Sequence, residues 1–497
     1  MAIRSAALYT NFCRVTWVAA VFFLPVSSLP LLASLAHASS VAPVTTFLLS
    51  FLALVWLVPY LVKGGRIPSD SVPLVWFVWA ALFSLALAWF REIPSFQNAS
   101  LWGEARSALI TLMMGMAVFF TTASWTAQPG NSLKTTLRVV HLSSLPMFAW
   151  SAVQAYFVMF HASDYPEIVF QIQGLISSSN ASLYIGRVTG LAFEPSWLAH
   201  QLNMVYLPIW LASSLTGISV FRRIAKISVE NILLVLGCMA LLISFSRVGW
   251  ISFAFALALV VLWVLVRVTA WVQARFLAKI QGPGRMLYRW LIFIGLMAGF
   301  LLLGAAASVV LFRIGMYFDP RLGRILEHSP LDAENMYDFA NRIFIGERMV
   351  YWAAGVGVFN SFPIFGAGLG TAGFYFYEKL PAFAYGLTEV QNLLYRLGAG
   401  FNIKSLWVRL LAETGILGFS MFLGWYAGLF RAAGRALKSL DPEVRLIGYA
   451  GLLMLVGFLA EGFSVDSFAL PYFWFAAGLL AAAAALARQT ASRVELS

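Results

Sequence analysis

Apolar residues in this chain run in blocks too long for the alternation of a strand or the single stripe of a surface helix. Windows of about 20 predominantly apolar residues, the length a helix needs to cross a bilayer, begin near Val15, Val44, Val72, Ala105, Val139, Phe193, Asn231, Gly249, Trp290, Leu406, Leu446 and Phe468. They predict an all-α polytopic membrane protein of about 12 transmembrane helices. Pro25, Pro30, Pro208 and Pro471 fall inside or at the edges of these windows, where neighbouring helices can satisfy the carbonyls a kink sets free. One stretch breaks the pattern. From Arg313 to Arg409 the chain is polar and poor in long apolar windows, and loops beyond about 15 residues are usually functional or disordered. This stretch is expected to fold over the membrane surface and to help form the site. The division predicted is 1–312 for the first nine helices, 313–405 for the large loop and 406–497 for the last three helices.

Charge sets the orientation, because Lys and Arg resist translocation. With the N-terminus inside, the cytoplasmic segments gather clusters such as Arg222, Arg223 and Lys226, or Arg431, Arg435, Lys438 and Arg445. They hold about 20 basic residues against about 5 acidic ones, which predicts both termini on the cytoplasmic side and the large loop outside. Near the start, Arg4, Arg14, an apolar run and Ala36-His37-Ala38 imitate a cleavable signal. An uncleaved first helix is the better reading, because an even number of helices then agrees with the charge count.

Composition sharpens this picture. The 497 residues are 61% hydrophobic and 11% charged, with a mean hydropathy of +0.82, so the chain belongs in lipid. The formal charge of +12 does not mark a nucleic-acid surface, because the basic residues lie between apolar windows rather than on polar helices. Cys13 and Cys238 suggest no disulfide framework. The run GAGLGTAG at Gly366 to Gly373 is followed by no Lys-Ser or Lys-Thr, so ATP-driven transport loses support.

Candidate chemistry collects on the outer side, at helix ends, where ionisable groups are least costly. In GRVTGLAFEPSWLAHQL, Gly186 to Leu202, Glu194 precedes a proline at a helix entry, with Arg187 nearby and Gln201 on the same face. Glu194 can accept a proton from a hydroxyl, or simply cap its helix. In SFSRVGW, Ser244 to Trp250, Arg247 sits in a short turn between spans and can grip a phosphate through its planar fork, or snorkel to headgroups. In the large loop, residues from Arg342 through Phe359 suit an amphipathic helix with Arg348 and Trp352 on one face. The glycine run that follows either offers amides to an anion or packs closely on a helix. Arg409 can pair with Glu413 at i, i+4, whereas Lys404 has no partner nearby in sequence and is free for an anionic ligand or a hydroxyl. Asp319, Glu327, Asp332, Glu334, Asp338 and Glu347 lack metal-site spacing and read as a solvated face. The five histidines form no ligand pair, and His200 reads as packing.

Together RVTGLAFEPSWLAHQL, SFSRVGW, ERMVYWAAGVGVFNSFPIFGAGLG and SLWVRLLAETGILGF resemble the O-antigen polymerase and O-antigen ligase superfamily of bacterial inner-membrane glycosyltransferases. The resemblance is strongest from about Gly186 to Leu423 and extends to the late large loop. It implies a GT-C-like fold, an undecaprenyl-diphosphate-linked glycan as substrate, inverting transfer on the periplasmic face, and no cofactor. By motif, Arg247 and Arg348 match the arginines thought to hold the diphosphate; Arg187 and Arg409 are the further outer cations expected to help. Glu194 and Lys404 are the catalytic candidates. Ligases carry a histidine where this chain has Lys404, followed by Ser405, so polymerase is favoured over ligase. Membrane lipids, a chain-length regulator and a flippase are the other expected partners, and nucleic acid is not one. A transporter should show paired repeats and midplane charges, which this sequence lacks; a non-catalytic structural role would leave arginines in short outer turns unexplained.

Overall fold

The computed structural model describes residues 2–35, 42–96, 99–128, 130–160, 166–178, 186–221, 227–276, 284–318, 323, 336–342, 345–395 and 402–495. The cleavage-like Ala36-His37-Ala38, the basic Arg222, Arg223 and Lys226, and Asp319, Glu327, Asp332 and Glu334 lie outside the described residues.

The chain is an all-α polytopic membrane protein. Its main helices are α1 (Ala2–Phe22), α2 (Val44–Val62), α3 (Ser69–Ala88), α4 (Leu101–Thr126) and α5 (Leu133–Ala155). Next comes α6, which runs through Pro195–Gln201, a π-helical Leu202–Tyr206 and Leu207–Thr216; then α7 (Val229–Ile243), α8 (Arg247–Phe276) and α9 (Gly284–Phe318). The large loop carries α10 (Gly346–Ser361) and α11 (Thr388–Tyr395), and α12 (Leu406–Leu437), α13 (Pro442–Glu461) and α14 (Pro471–Glu495) complete the chain. Among the described residues, eight helices are long and apolar enough to cross a membrane by length and composition.

Two apolar windows behave differently from expectation. The run from Val15 is not one helix: α1 starts at Ala2 and stops at Phe22, and the rest becomes a turn and the short helix Pro30–Leu35. Pro25 and Pro30 explain the break, since proline lacks the N–H a continuing helix needs. The window from Asn231 yields only the 15 residues of α7, because the turn Ser244–Ser246 ends it.

Packing places α12, α13 and α14 at the centre. The α14 helix lies along α4, α12 lies against α3, α13 and α14, and α13 also receives α6 and α8. Large buried rings fill the contacts, with Trp425 stacked on Trp474 at 5.7 Å and Phe458 on Phe473 at 3.7 Å. By contrast, no residue in the most apolar window of α9 is buried, and α8 is its main neighbour. In a bilayer such a face is covered by lipid.

The α12 helix is broken once. Gly415 takes φ 62° and ψ −168°, a backbone that side-chain-bearing residues rarely adopt. At this break the helix pairs with the glycine loop instead of with itself. The amide of Ile416 donates to Pro363 O at 2.8 Å, and the amide of Ala367 donates to Ala412 O at 2.8 Å. A side chain at Gly366 would meet the backbone of Glu413 at 2.3 Å. Of the two readings of the glycine run, close packing on a helix is the one seen.

Candidate functional site: two cavities sharing one wall

The alternating path of the chain brings the starts of α4, α6, α8 and α12 and the end of α13 to one end of the bundle, where α10 lies over them. Two cavities open there. The segment between α13 and α14 separates them: Phe463 and Ser464 line one, Asp466 and Ser467 the other.

The first cavity, about 490 Å³, is lined by three arginines, Arg187, Arg247 and Arg348, on otherwise mostly apolar walls that include Ile251, Phe255, Trp352 and Leu459. Arg187 is steered by carbonyls, its Nε donating to Ser244 O at 3.1 Å and its Nη2 to Phe245 O at 3.4 Å. Those carbonyls belong to the turn that presents Arg247, so one piece of backbone both steers the Arg187 guanidinium and carries Arg247. The turn is built tightly. Ser246 Oγ caps α8 by accepting from Gly249 N at 3.3 Å, and Trp250 Nε1 donates to Leu241 O at 3.0 Å. Phe245 has φ 47°, a left-handed backbone that costs roughly 1–3 kcal/mol in a non-glycine residue and clusters at functional sites. Gly249 lets α8 approach α6, since a side chain there would come within 2.5 Å of Ala199 Cβ. Beneath it, Asn203 Nδ2 donates to Gly249 O and to Glu461 Oε1, each at 2.8 Å, and His200 Nδ1 lies 3.3 Å from Glu461 Oε2. His200 and Glu461 are buried, so this network ties α6, α8 and α13 together below the arginines. Arg348 comes from α10 and donates from Nη1 to Ser464 Oγ at 3.1 Å, while Trp352, one turn on, meets the Phe463 ring at 5.4 Å.

Glu194 stands at the entry of α6, half-buried, and makes no side-chain cap hydrogen bond. Its carboxylate accepts from Ser196 Oγ instead, and Ser196 lines the arginine cavity. Gln201 is buried in α6, and neither side-chain amide atom finds a hydrogen-bond partner among the described residues.

The second cavity, about 300 Å³, is polar. Glu104, Ser107, Thr111, Asn402, Arg409, Glu413, Asp466 and Ser467 line it with Gly370 and Gly373. Arg409 therefore does not join the other three arginines. It donates from Nε to Glu413 Oε2 at 3.0 Å and from Nη1 to Asp466 O at 2.8 Å, and lies 4.9 Å from the centre of the Phe468 ring. The pairing at i, i+4 follows from helical spacing.

Lys404 is not partnerless. It pairs with Glu389 of α11 and lies 4.4 Å from the centre of the Tyr351 ring, while Tyr351 itself donates to Glu389 Oε1 at 2.9 Å. The partner stands 15 residues earlier, on α11, beyond the reach of local spacing rules. Lys404 has φ 54° and its amide donates to Asn402 Oδ1 at 2.6 Å and Asp466 Oδ2 at 3.2 Å. Among the described residues, Phe245 and Lys404 are the two non-glycine residues with positive φ. Burial pushes the carboxyl of Glu347 up to about 7, helped by neighbouring Glu389. Burial also pushes Glu389 upward, but hydrogen bonds from Glu347, Lys404 and Tyr351 and the Lys404 charge outweigh it and leave Glu389 below its ordinary value.

The reading of the sequence passed over Glu461-Gly462-Phe463-Ser464-Val465-Asp466-Ser467, the wall between the cavities. The signal was available: four polar residues in a short turn between apolar helices, the same reasoning that singled out Arg247.

No curated protein matches this chain. Residues 232–423 match the family model described as O-antigen ligase, a span that holds Arg247, Arg348, Lys404 and Arg409. Over that span, and not over the rest of the chain, the protein is similar to the O-antigen ligase family.

Proposed function

We propose that the protein is a glycan polymerase that joins oligosaccharide repeat units carried on undecaprenyl diphosphate, acting at the periplasmic face of the bacterial inner membrane. The carrying observation is the cavity in which Arg187, Arg247 and Arg348 meet on apolar walls. A diphosphate on a long isoprenoid chain asks for this combination: positive charge for the leaving group and apolar surface for the first part of the chain. In the reaction the acceptor hydroxyl oxygen attacks the anomeric carbon, the bond from that carbon to the diphosphate oxygen breaks, and the electron pair leaves with the diphosphate. Guanidinium groups fixed in place before reaction stabilise the charge that develops there. Glu194 is the candidate receiver of the hydroxyl proton, since its carboxylate holds Ser196 on the cavity wall. Lys404 supports the site by fixing the large loop, which forms a lid over the cavities, through Glu389 and Tyr351, and Arg409 holds Glu413 in the second cavity. This reading keeps about twelve membrane crossings of GT-C type, with the four helical windows beyond the eight apolar ones completing the count.

A second reading, a ligase that moves the lipid-linked glycan onto lipid A core, is favoured by the description of the matching family. The lysine at the position where ligases carry histidine favours polymerase. Deleting the gene and analysing the glycan separates the two. Single repeat units attached to acceptor indicate a polymerase, and long lipid-linked polymer left unattached indicates a ligase. Unchanged surface glycans would overturn both.

A further inference from the structure

The polar cavity is left over by this chemistry, and its lining argues for a different ligand. Glu104, Glu413 and Asp466 face it against a single guanidinium, Arg409, which already serves Glu413 and the Asp466 carbonyl. Three carboxylates around one committed cation repel a diphosphate, and the polar walls offer nothing to a lipid chain. They suit a neutral ligand rich in hydroxyls: carboxylate oxygens accept from O–H groups, the Asn402 amide both donates and accepts, and Ser107, Thr111 and Ser467 serve either way. The volume of about 300 Å³ is at the lower limit of small-molecule sites.

Its shape is fixed by backbone. Gly370 has φ 79°, and a side chain there would come within 2.6 Å of Ala108 Cβ and 2.9 Å of Glu104 O. Glu413 accepts a further hydrogen bond from the Gly370 amide. Position matters as much as lining. The wall Gly462–Ser467 is common to both cavities, with Ser464 bonded to Arg348 on one side and Asp466 bonded to the Lys404 amide on the other.

We propose that the polar cavity binds the acceptor glycan, holding a neutral sugar unit so that its hydroxyl is presented across the Gly462–Ser467 wall to the anomeric carbon held beside the arginines. This rests on the transferase reading above. The donor glycan offers the same sugar chemistry, so the experiment separates the two sources.

The full-length protein in nanodiscs is given a polyprenyl-diphosphate-linked repeat unit whose terminal acceptor hydroxyl is blocked, as donor, and a lipid-free repeat unit capped at its reducing end, as acceptor. Rates are measured with each varied in turn. Ser107→Trp, at an exposed position, narrows the cavity mouth, and Glu104→Gln keeps the shape but removes a charge. Acceptor KM is expected to rise about tenfold or more in Ser107→Trp and about threefold in Glu104→Gln, with donor KM changed by less than about twofold. Should Ser107→Trp fail to insert, Glu104→Gln decides. Acceptor KM within about twofold of the parent overturns the proposal, as does a rise in donor KM alone, which would place the donor glycan there. Failure of the parent protein to bind the polyprenyl diphosphate, or binding unchanged in Arg348→Ala, would instead overturn the transferase reading itself.

Discussion

The two cavities use the same residue type in opposite ways. In the apolar cavity Arg348 donates to the Ser464 hydroxyl, a neutral oxygen, and Arg187 donates to the Ser244 and Phe245 carbonyls. In the polar cavity Arg409 is bound to a carboxylate and a carbonyl at once. An arginine satisfied by neutral oxygens keeps its attraction for an anion, whereas one paired with Glu413 has spent it on the fold. The difference teaches that a cation near a cavity is informative only together with what already holds it.

The largest effects should separate these roles. Arg348→Ala and Arg247→Ala are each expected to lower transfer about 10²- to 10³-fold, the usual loss when one stabilising donor is removed from a charged transition state, with insertion and melting temperature close to the parent. Arg409→Ala should do the reverse. It leaves Glu413 buried without its partner, a change that costs about 3–5 kcal/mol, so a marked drop in thermal stability should precede any kinetic effect. Near-normal transfer in both Arg247→Ala and Arg348→Ala would remove the diphosphate assignment, and an unchanged melting temperature in Arg409→Ala would erase the contrast between the cavities.

A middle-sized effect tests the frame rather than the charges. Gly249→Leu forces α8 away from Ala199, and such overpacking costs about 1–3 kcal/mol. Because Arg247 begins α8 and its turn steers Arg187, transfer should fall more than stability does, measured as kcat against melting temperature. Loss of stability with unchanged kcat would show that the arginine turn tolerates movement.

How much of this was legible depended on the range of the interaction. Arg247 and Arg348 could be picked out because a single cation in a short turn, or on one face of an amphipathic helix, is a local signal. Arg187 was visible only as a neighbour of Glu194, and its tie to the Ser244 and Phe245 carbonyls spans more than fifty residues. Arg409 shows the converse: its i, i+4 pairing was visible, but its separation from the other arginines was not, because no local pattern says which side of the Gly462–Ser467 wall a side chain reaches. Helix content followed from hydropathy, yet the end of α1 at Phe22 and the break at Gly415 did not, since each depends on where the neighbouring backbone finds its hydrogen bonds.

The smallest effect lies in the lid, where pH sharpens the comparison further. Glu347 and Glu389 flank Tyr351 beneath Lys404, between residues that line the arginine cavity, Ile345 and Arg348, and residues that line the polar one, Asn402 and Ile403. The proton affinity of Glu347 is raised to about 7 from an ordinary 4.5. The folded lid therefore keeps a proton that the opened chain has released: the contribution is fully present below the ordinary value and is lost as pH rises through about 7. Glu389 runs the other way, with a lowered value, so its contribution is present above its ordinary range and lost as pH falls through that lowered value. The lid should be tightest in mildly acidic solution, where Glu347 is protonated and Glu389 is ionised beside Lys404. Amide exchange across α10 and α11 should accelerate modestly between about pH 5 and pH 8, beyond the intrinsic chemical rate, and Glu347→Gln should flatten that slope. An unaltered slope in Glu347→Gln would mean that the lid is clamped by the Lys404–Glu389 pair and the Arg348–Ser464 bond alone, and that the boundary between the two cavities is indifferent to protons.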